Sequence, residues 1–597
     1  MPKNKILINY TNRDFESIKS DLQEHARRYF PDTYKDFSEN TFGSYITDTV
    51  SYVGDMLSFY LDYQVNESFL ETAVEYENVR KLARNYGYKY FGRPAAFGIS
   101  SFYVQVPANS SGLGPRTDLI PVLKKGSEFK TSGGTTFVLT EDVDFSNIKN
   151  ETVASRFSSA TGKPTQYAIR AHGQIKSTVL YRTEVEVGAF QRLLKLRIGP
   201  SSISEIHSVV DSEGNIYYEV DHLCQDVVYV DTTNESAMQD GVREIIKPKI
   251  VPRRFVMDQD SSGTYIQFGY GSSESTTTTD IADPSQIALK MSGKNYETDS
   301  AFDPTKLLDT NTLGISPSNT TLTILYYRNS SDSVNVSVGS LNTVSLASMQ
   351  FPRESSSTTN ALKRTVRSTL EVSNDEPIVG NTALPSSEEI RYRSYAAKFS
   401  QMRSVTRNDY EASIYMMPPK YGSVKRVSVY NDPSSTNRRL SVYVISEDSS
   451  NNLVKSNSAI KGNIATWLNK NKMINDNIDI YDAIILNIGF DYEIIVDPTY
   501  DKISVINSVQ RRIVSEMSEK MYIGEPFYLT KVYNVINKVE GVVDVTSVKP
   551  VIKTGAGYSI SIPLEEMRSM DGTYLKAPKN CIFEIKNLST DIRGTAV

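Results

Sequence analysis

The sequence predicts a multidomain α+β protein on three observations: a helix-period apolar pattern in the N-terminal part, a long middle of short alternating runs, and a C-terminal part in which strands and helices interleave. Its 597 residues correspond to roughly four units of about 150 residues, each able to bury its own core. The expected division is an N-terminal helical bundle segment at 1–95, a large β-rich middle at 96–350 with room for two subdomains, a helical connector at 351–420, a C-terminal α/β domain at 421–552, and a small β tail at 553–597.

In the first segment Phe42, Tyr45, Ile46, Val50, Val53, Leu57, Tyr60 and Leu61 recur at three- and four-residue spacings, which places them on one stripe of a helix. A second stripe, Phe69, Leu70, Ala73, Tyr76, Val79, Leu82, Ala83 and Tyr86, stops at Gly87, where a glycine suits a left-handed cap. Amphipathic faces of this kind ordinarily cover each other or a neighbouring domain of the same chain. The competing reading is a bundle with helices of another chain.

The middle reads as strands in SFYVQVP, SEFKTSG, TTFVLTED, TEVEVGAF, LLKLRIG, EIHSVVD, QDVVYVD, TYIQFGYG and TLTILYY, runs rich in β-branched and aromatic residues between turn formers. The Ser/Thr-rich stretches STTTTD (275–280) and NSSDSVNVSVGS (329–340) read as exposed loops or edge strands, since they offer little to bury. A helical block follows at 356–417, with capping-box spacing at Ser386 and Glu389 and an approximate box at Thr406 and Asp409. Beyond it come strands in SVKRVSVYND and RLSVYVIS, a helix at 459–469, one or two strands in DAIILNIGFDYEIIVD, helices at 502–520 and 531–538, and a strand in GVVDVTSV. The last stretch, with CIFEIKNLS, reads as a small appended hairpin region.

Composition narrows the function classes. Lys and Arg number 65 against 70 Asp and Glu, a formal charge of -5, which argues against binding nucleic acid by neutralising phosphates. The two cysteines, Cys224 and Cys581, are too far apart to read as a disulfide framework or a zinc module. The first residues lack the apolar stretch of a signal peptide, and no run reaches membrane-spanning length, so a soluble, unsecreted protein with no membrane contact is expected. There are 37 Tyr against one Trp, spread along the chain, which suits partly wet contact surfaces as well as ordinary half-buried sites.

Chemistry-bearing patterns are weak. The four histidines, His25, His172, His207 and His222, fit no zinc-hydrolase spacing; His222 and Cys224 share a strand face with His207 upstream, but a closed zinc site wants four ligands. Asp258 to Gly263 resembles half a calcium loop, yet Gly269 stands where a bidentate Glu belongs, so a hairpin turn is the better reading. Gly269 and Gly271 form a lone G-x-G without a dinucleotide-binding context. Glu388–Glu389 and Glu565–Glu566 are sequence neighbours, whereas glycosidase carboxylates come from separate elements. No catalytic, cofactor-binding or metal residue is assigned, no cofactor is expected, and the protein is read as a non-enzyme.

The stretch 51–96 resembles the N-terminal signature of the baseplate J-like family of contractile-tailed bacteriophages, in NESFLETA (66–73), ENVRKLARNYGY (77–88) and the pair Ala95–Ala96. Downstream, IPVLKKGSEFKTSGGTTFVLTEDV, YIQFGYGSS, the helix leading to Val405, Thr406, Asp409 and Tyr410, and VEGVVDVTSV resemble that family's order of motifs over about 40–550; 275–345 and the tail from 553 have no counterpart. Length and composition look nearest to the wedge subunit of T4-like myoviruses.

The resemblance implies a structural wedge subunit of a tail baseplate, located in the virion and assembled in the host bacterial cytoplasm. Its implied partners are other baseplate wedge proteins, a second copy of itself and a sheath-initiator-like tail protein, in a hetero-oligomer of sixfold assembly without nucleic acid. Phe42, Tyr45, Ile46, Val53, Leu57, Leu61, Phe69 and Leu70 are then the candidate inter-chain bundle residues. Glu67, Gly87, Tyr88, Thr406, Asp409, Tyr410 and Gly541 are family-signature structural positions, and Tyr522, Phe527, Tyr528 and Tyr533 are candidates for contact between neighbouring wedges. The runner-up is a tail-associated receptor-binding or glycan-hydrolysing β protein, which would usually show a solenoid or stalk periodicity.

Overall fold

The computed structural model describes residues 11, 13–31, 41–89, 92–159, 161–233, 244–260, 262–271, 313–355, 358–401, 403–431, 439–555, 557–559 and 562–597. The architecture is multidomain α+β. Helices α1 (Phe15–Tyr29), α2 (Phe42–Asn66) and α3 (Tyr76–Asn85) come first; α4 (Asn360–Ser368), α5 (Ser387–Ser400) and α6 (Arg407–Tyr415) lie midway; α7 (Ser458–Asn471), α8 (Lys502–Glu516) and α9 (Leu529–Asn537) follow. Two compact units result, one of Met1–Tyr90 with Leu384–Met416, the other of Phe91–Ala383 with Met417–Val597.

In the first unit the second apolar stripe is internal. Leu70, Ala73, Val79, Ala83 and Tyr88 form one core with Ile390 and Ala397 of α5, Ala412 of α6, and Met416. The sequence pattern is continuous from Phe69, but the helix begins only at Tyr76, because Glu67 holds the preceding turn open: its carboxylate accepts from the backbone of Val74 at 2.6 Å and from Asn78 Nδ2 at 2.9 Å. Arg391 of α5, 6% exposed, donates from Nε to Leu70 O at 2.7 Å and from its guanidinium to Ala73 O, so the turn's carbonyls are satisfied by a side chain.

Among the described residues the second unit has separate cores built on its sheets. Each run read as a strand in the middle region does form one. The first sheet is ordered Leu341–Leu346, Glu128–Thr131, Thr136–Leu139, Pro164–Lys176, Phe97–Pro107, Glu371–Ser373, and encloses Phe102, Phe129, Phe137, Ile169 and, from α4, Val366. Its central strand Pro164–Lys176 is absent from the sequence reading, because PTQYAIRAHGQIK carries few β-branched residues and a glycine. The glycine has a packing reason: a Cβ on Gly173 would lie 2.5 Å from Val143 Cγ2 and 3.1 Å from Phe102.

The second sheet, Thr178–Val187, Thr320–Asn329, Ile203–Val210, Ile216–Glu219, Arg254–Asp260, Gly263–Phe268, Lys195–Gly199, has a separate core of Ile203, Val209, Phe255, Ile266, Phe268, Leu322 and Ile324. It leaves and rejoins the first sheet at adjacent points, Thr178 pairing with Asn329. There Ser177 Oγ donates to Asn329 Oδ1 at 2.7 Å, and Asn329 Nδ2 donates to Pro94 O at 3.0 Å. The stretch 329–340, expected to be exposed, is therefore partly interior: Asn329 and Val334 are buried, and Asn335 Nδ2 donates to Asn381 O and Glu447 O. The STTTTD stretch (275–280) lies outside the described residues.

The helical block expected at 356–417 is interrupted, since Glu371–Ser373 pairs with the strand Phe97–Pro107. After it, Arg426–Asn431, Arg439–Glu447, Leu453–Val454 and Asn477–Asp482 form a sheet flanked by α7. DAIILNIGFDYEIIVD resolves as one strand, Ile484–Val496, paired antiparallel with Val542–Ile552 and covered by α8 and α9 through Val505, Val509, Ile513, Val532 and Ile536. The tail is not an appended hairpin. Cys581–Glu584 and Ile592–Ala596 both pair in parallel with Ile484–Val496, supplying its other edge, a long-range pairing that local alternation does not reveal.

Candidate interaction surface

The surface that stands out is on α2. Thr41 starts it, its hydroxyl accepting from Ser44 N at 3.2 Å, and the 25 residues extend about 37 Å. The covered stripe of this helix is small and polar. Ser44 and Ser51 are buried, Ser51 Oγ donating to Thr47 O at 2.7 Å so that its hydroxyl needs no outside partner. A Cβ on Gly54 would lie 3.1 Å from Ile18 Cδ1, which shows how closely α1 approaches. The two helices run antiparallel, tied by the Lys19–Asp48 ion pair at 2.8 Å near one end and by Thr11, which donates from N and Oγ1 to Asp62 at 3.0 and 2.9 Å, near the other. No residue of α1 is buried.

The apolar residues of α2 point the other way. Phe42, Tyr45, Ile46, Val53, Leu57 and Leu61 are between 47% and 78% exposed, as are Val50, Tyr52, Phe59 and Tyr60. At 100° per residue these positions sweep about 200° of the helix, roughly twice the stripe one packed face requires. Phe69, just past the helix, is 53% exposed, but Leu70 is 4% exposed in the unit's own core, so Leu70 is removed from the bundle set: the turn after α2 swings it onto α3 and α5.

The signature positions in the same unit hold local geometry. Gly87 has φ +87°, a value that favours glycine, at the end of α3. Tyr88 is buried and interacts with Arg393, whose guanidinium also sits 4.1 Å from the Tyr415 ring and 3.9 Å from Glu389. Burial works against the Arg393 charge, yet Tyr88, Tyr415 and Glu389 together outweigh it and hold its pKa above the ordinary value. Thr406 and Asp409 form a reciprocal capping box, Asp409 N donating to Thr406 Oγ1 at 3.3 Å and Thr406 N to Asp409 Oδ2 at 2.8 Å, and Tyr410 is 1% exposed behind it.

In the second unit Gly541 has φ +88°, and a Cβ there would lie 2.9 Å from Val505 and 3.1 Å from Tyr500. The four aromatics expected to face a neighbouring copy are mostly used internally. Phe527 is buried with its ring 6.3 Å from Phe490; Tyr533 OH accepts from Val548 N at 2.9 Å; Arg426, buried, places its guanidinium 4.4 Å from the Tyr522 ring. Tyr528 is 39% exposed, its ring tilted against that of Tyr574 on the paired strand at 5.6 Å. Their large rings fill the gap between sheet and helices, which is why they are drawn inward. The open sheet face is polar, with Asp491 flanked by Lys549 and Arg593 in register.

One constellation escaped sequence reading because its members are far apart in the chain. Ser101 Oγ lies 2.5 Å from Asp375 Oδ2 and 3.2 Å from His172 Nδ1, with Arg170 Nη2 at 3.2 Å. The strand register brings Ser101 opposite both His172 and Ser373. The hydroxyl donates to the carboxylate rather than to the imidazole, and Ser101 is 1% exposed, so the group cross-links strands and does not present a nucleophile. Asp375 is held below the usual carboxylate range by the Ser101 hydrogen bond first, then by Arg170. His222, Cys224 and His207 are exposed, and among the described residues no group of three or more His, Cys, Asp or Glu is placed to hold a metal. The calcium-loop resemblance is a hairpin turn, Asp260 Oδ1 accepting from the backbone of Ser262 and Gly263 at 2.9 Å each. Among the described helices none is long and apolar enough to cross a membrane.

Residues 14–85, the span of α1 to α3, match the family described as bacteriophage baseplate protein, N-terminal domain. The match supports a structural baseplate protein. Among solved structures, the chain is similar to one in the six-fold symmetrised cryo-EM structure of the anti-feeding prophage baseplate, at 9% identity and TM-score 0.25 over 95% of this chain and 90% of that one. It is also similar to one in the type VI secretion TssK-TssF-TssG baseplate subcomplex, at 6% identity and TM-score 0.25 over 74% of this chain and 96% of that one. No curated protein matches the chain.

Proposed function

We propose that this chain is a wedge subunit of a contractile phage tail baseplate, a structural component whose α1–α2 hairpin enters a helical bundle with other chains. The single observation behind this reading is that α2 covers its small polar stripe with α1 and leaves its large apolar arc outside. Fully burying a Leu, Val, Ile or Phe side chain is worth about 1.5–3 kcal/mol each, so several such residues left exposed represent a large unrealised association energy. An arc of about 200° is wide enough for two further helices beside α1, which suits a second wedge protein together with a second copy of this chain. A sheath-initiator-like protein and sixfold ring assembly complete the proposal, with assembly in the host bacterial cytoplasm and residence in the virion. The role is structural, without catalysis.

The test is co-expression of the chain with its neighbouring tail proteins, followed by size exclusion and mass measurement. Val53→Asp with Leu57→Asp should abolish the complex while the isolated chain keeps its folded second unit. Normal assembly by the double variant would sink the proposal.

A further inference from the structure

A cleft of about 510 Å³ lies between the strand Met349–Gln350 and α4, both in the second unit. Met349 and Phe351 lie buried behind it, with Pro352 beside them, and its accessible lining is mainly polar. Its wall is basic: Lys363, Arg364 and Arg367 stand on consecutive turns of α4. Arg367 is already positioned, Nη2 donating to Met349 O at 3.0 Å with the guanidinium 5.6 Å from the Phe351 ring. Lys363 bonds the Glu354 carboxylate, and among the described residues the Arg364 guanidinium meets no partner. The loop that carries Glu354 is pinned, Ser355 Oγ and Thr358 Oγ1 donating to Asp118 Oδ2 at 3.0 and 2.7 Å. Of the three cations only Lys363 meets a carboxylate, on a chain whose overall charge is -5.

We infer that this cleft binds an acidic peptide segment of another protein, one that presents carboxylates to Arg364 and Arg367. The Lys363–Glu354 pair shows the chemistry: the cleft already holds one carboxylate of its own chain, with two guanidinium groups beyond it. Arginine suits further carboxylates because its planar fork binds them in pairs of hydrogen bonds. A phosphate group is the poorer fit. Such groups favour bare helix N-termini, and here Thr359 Oγ1 already accepts from Leu362 N at the start of α4.

The test uses the full chain and a fluorescein-labelled peptide of sequence Leu-Glu-Glu-Leu-Glu-Glu, followed by fluorescence anisotropy. Saturable binding is expected; Arg364→Glu should weaken it at least about tenfold with an unchanged melting temperature, and Arg364→Lys should retain most of it. Arg364 bonds to no other described residue, so its replacement leaves folding alone. Absence of saturable binding up to about 1 mM, or equal binding by Arg364→Glu, overturns the inference. Displacement of the peptide by tripolyphosphate at lower concentration than by unlabelled peptide overturns it in favour of a phosphate site.

Discussion

Helix α2 and the strand Ile484–Val496 are both rich in apolar residues and dispose of them in opposite ways. Along the strand Leu486, Ile488, Phe490, Tyr492, Ile494 and Val496 are buried, covered by α8 and α9 of the same unit. Along α2 Ser44 and Ser51 are buried and the aromatics exposed. The strand buries its apolar surface within its own fold, whereas α2 leaves its own exposed. Apolar content by itself therefore says little about where stability resides; what matters is whether the partner surface belongs to the same chain.

Substitutions in the two regions can break or sharpen this contrast. The largest effect is expected in the C-terminal core, where Phe490→Ala should cost about 3–5 kcal/mol, seen as faster hydrogen exchange across 484–552 in the isolated chain. A loss below about 1 kcal/mol would mean that the core is not set by this ring. Next comes Gly541→Ala, which forces a Cβ against Val505 and Tyr500 at a φ of +88° and should cost about 1–3 kcal/mol by the same measurement. In the first unit Thr406→Ala should cost about 0.5–2 kcal/mol by losing the α6 cap, read as a lower melting temperature with assembly intact. Assembly lost at unchanged melting would instead assign Thr406 to an interface. The smallest effect is expected at Leu57→Ala, within about 0.5 kcal/mol in the isolated monomer. A loss of several kcal/mol there would show α2 covered by its own chain and would remove the contrast.

Much of this was legible locally. The capping boxes at Ser386–Glu389 and Thr406–Asp409 form as their spacing indicates, and Asp260 pairs with Gly263 at the tip of a hairpin. The strand Pro164–Lys176 was hidden because its place in the sheet comes from neighbours on both sides, not from its own β propensity. The wall of Lys363, Arg364 and Arg367 reads in sequence as an ordinary charged helix, and only Met349, Phe351 and Glu354 opposite make it a cleft.

The sequence by itself determined the class of the protein and the apolar stripe at Phe42 to Leu61, because helix periodicity and alternation are properties of neighbouring residues. Which side of α2 is covered was decided by the tertiary structure, through Ser51 and the close approach of Ile18 to Gly54. The same holds for Leu70, drawn inward by the turn that Glu67 and Arg391 hold, and for Phe527 and Tyr533, which fill the space beneath α8 and α9. The return of 581–596 to the edge of Ile484–Val496 is likewise tertiary. Burial depends on what lies opposite a residue, and those partners are brought from distant parts of the chain by folding.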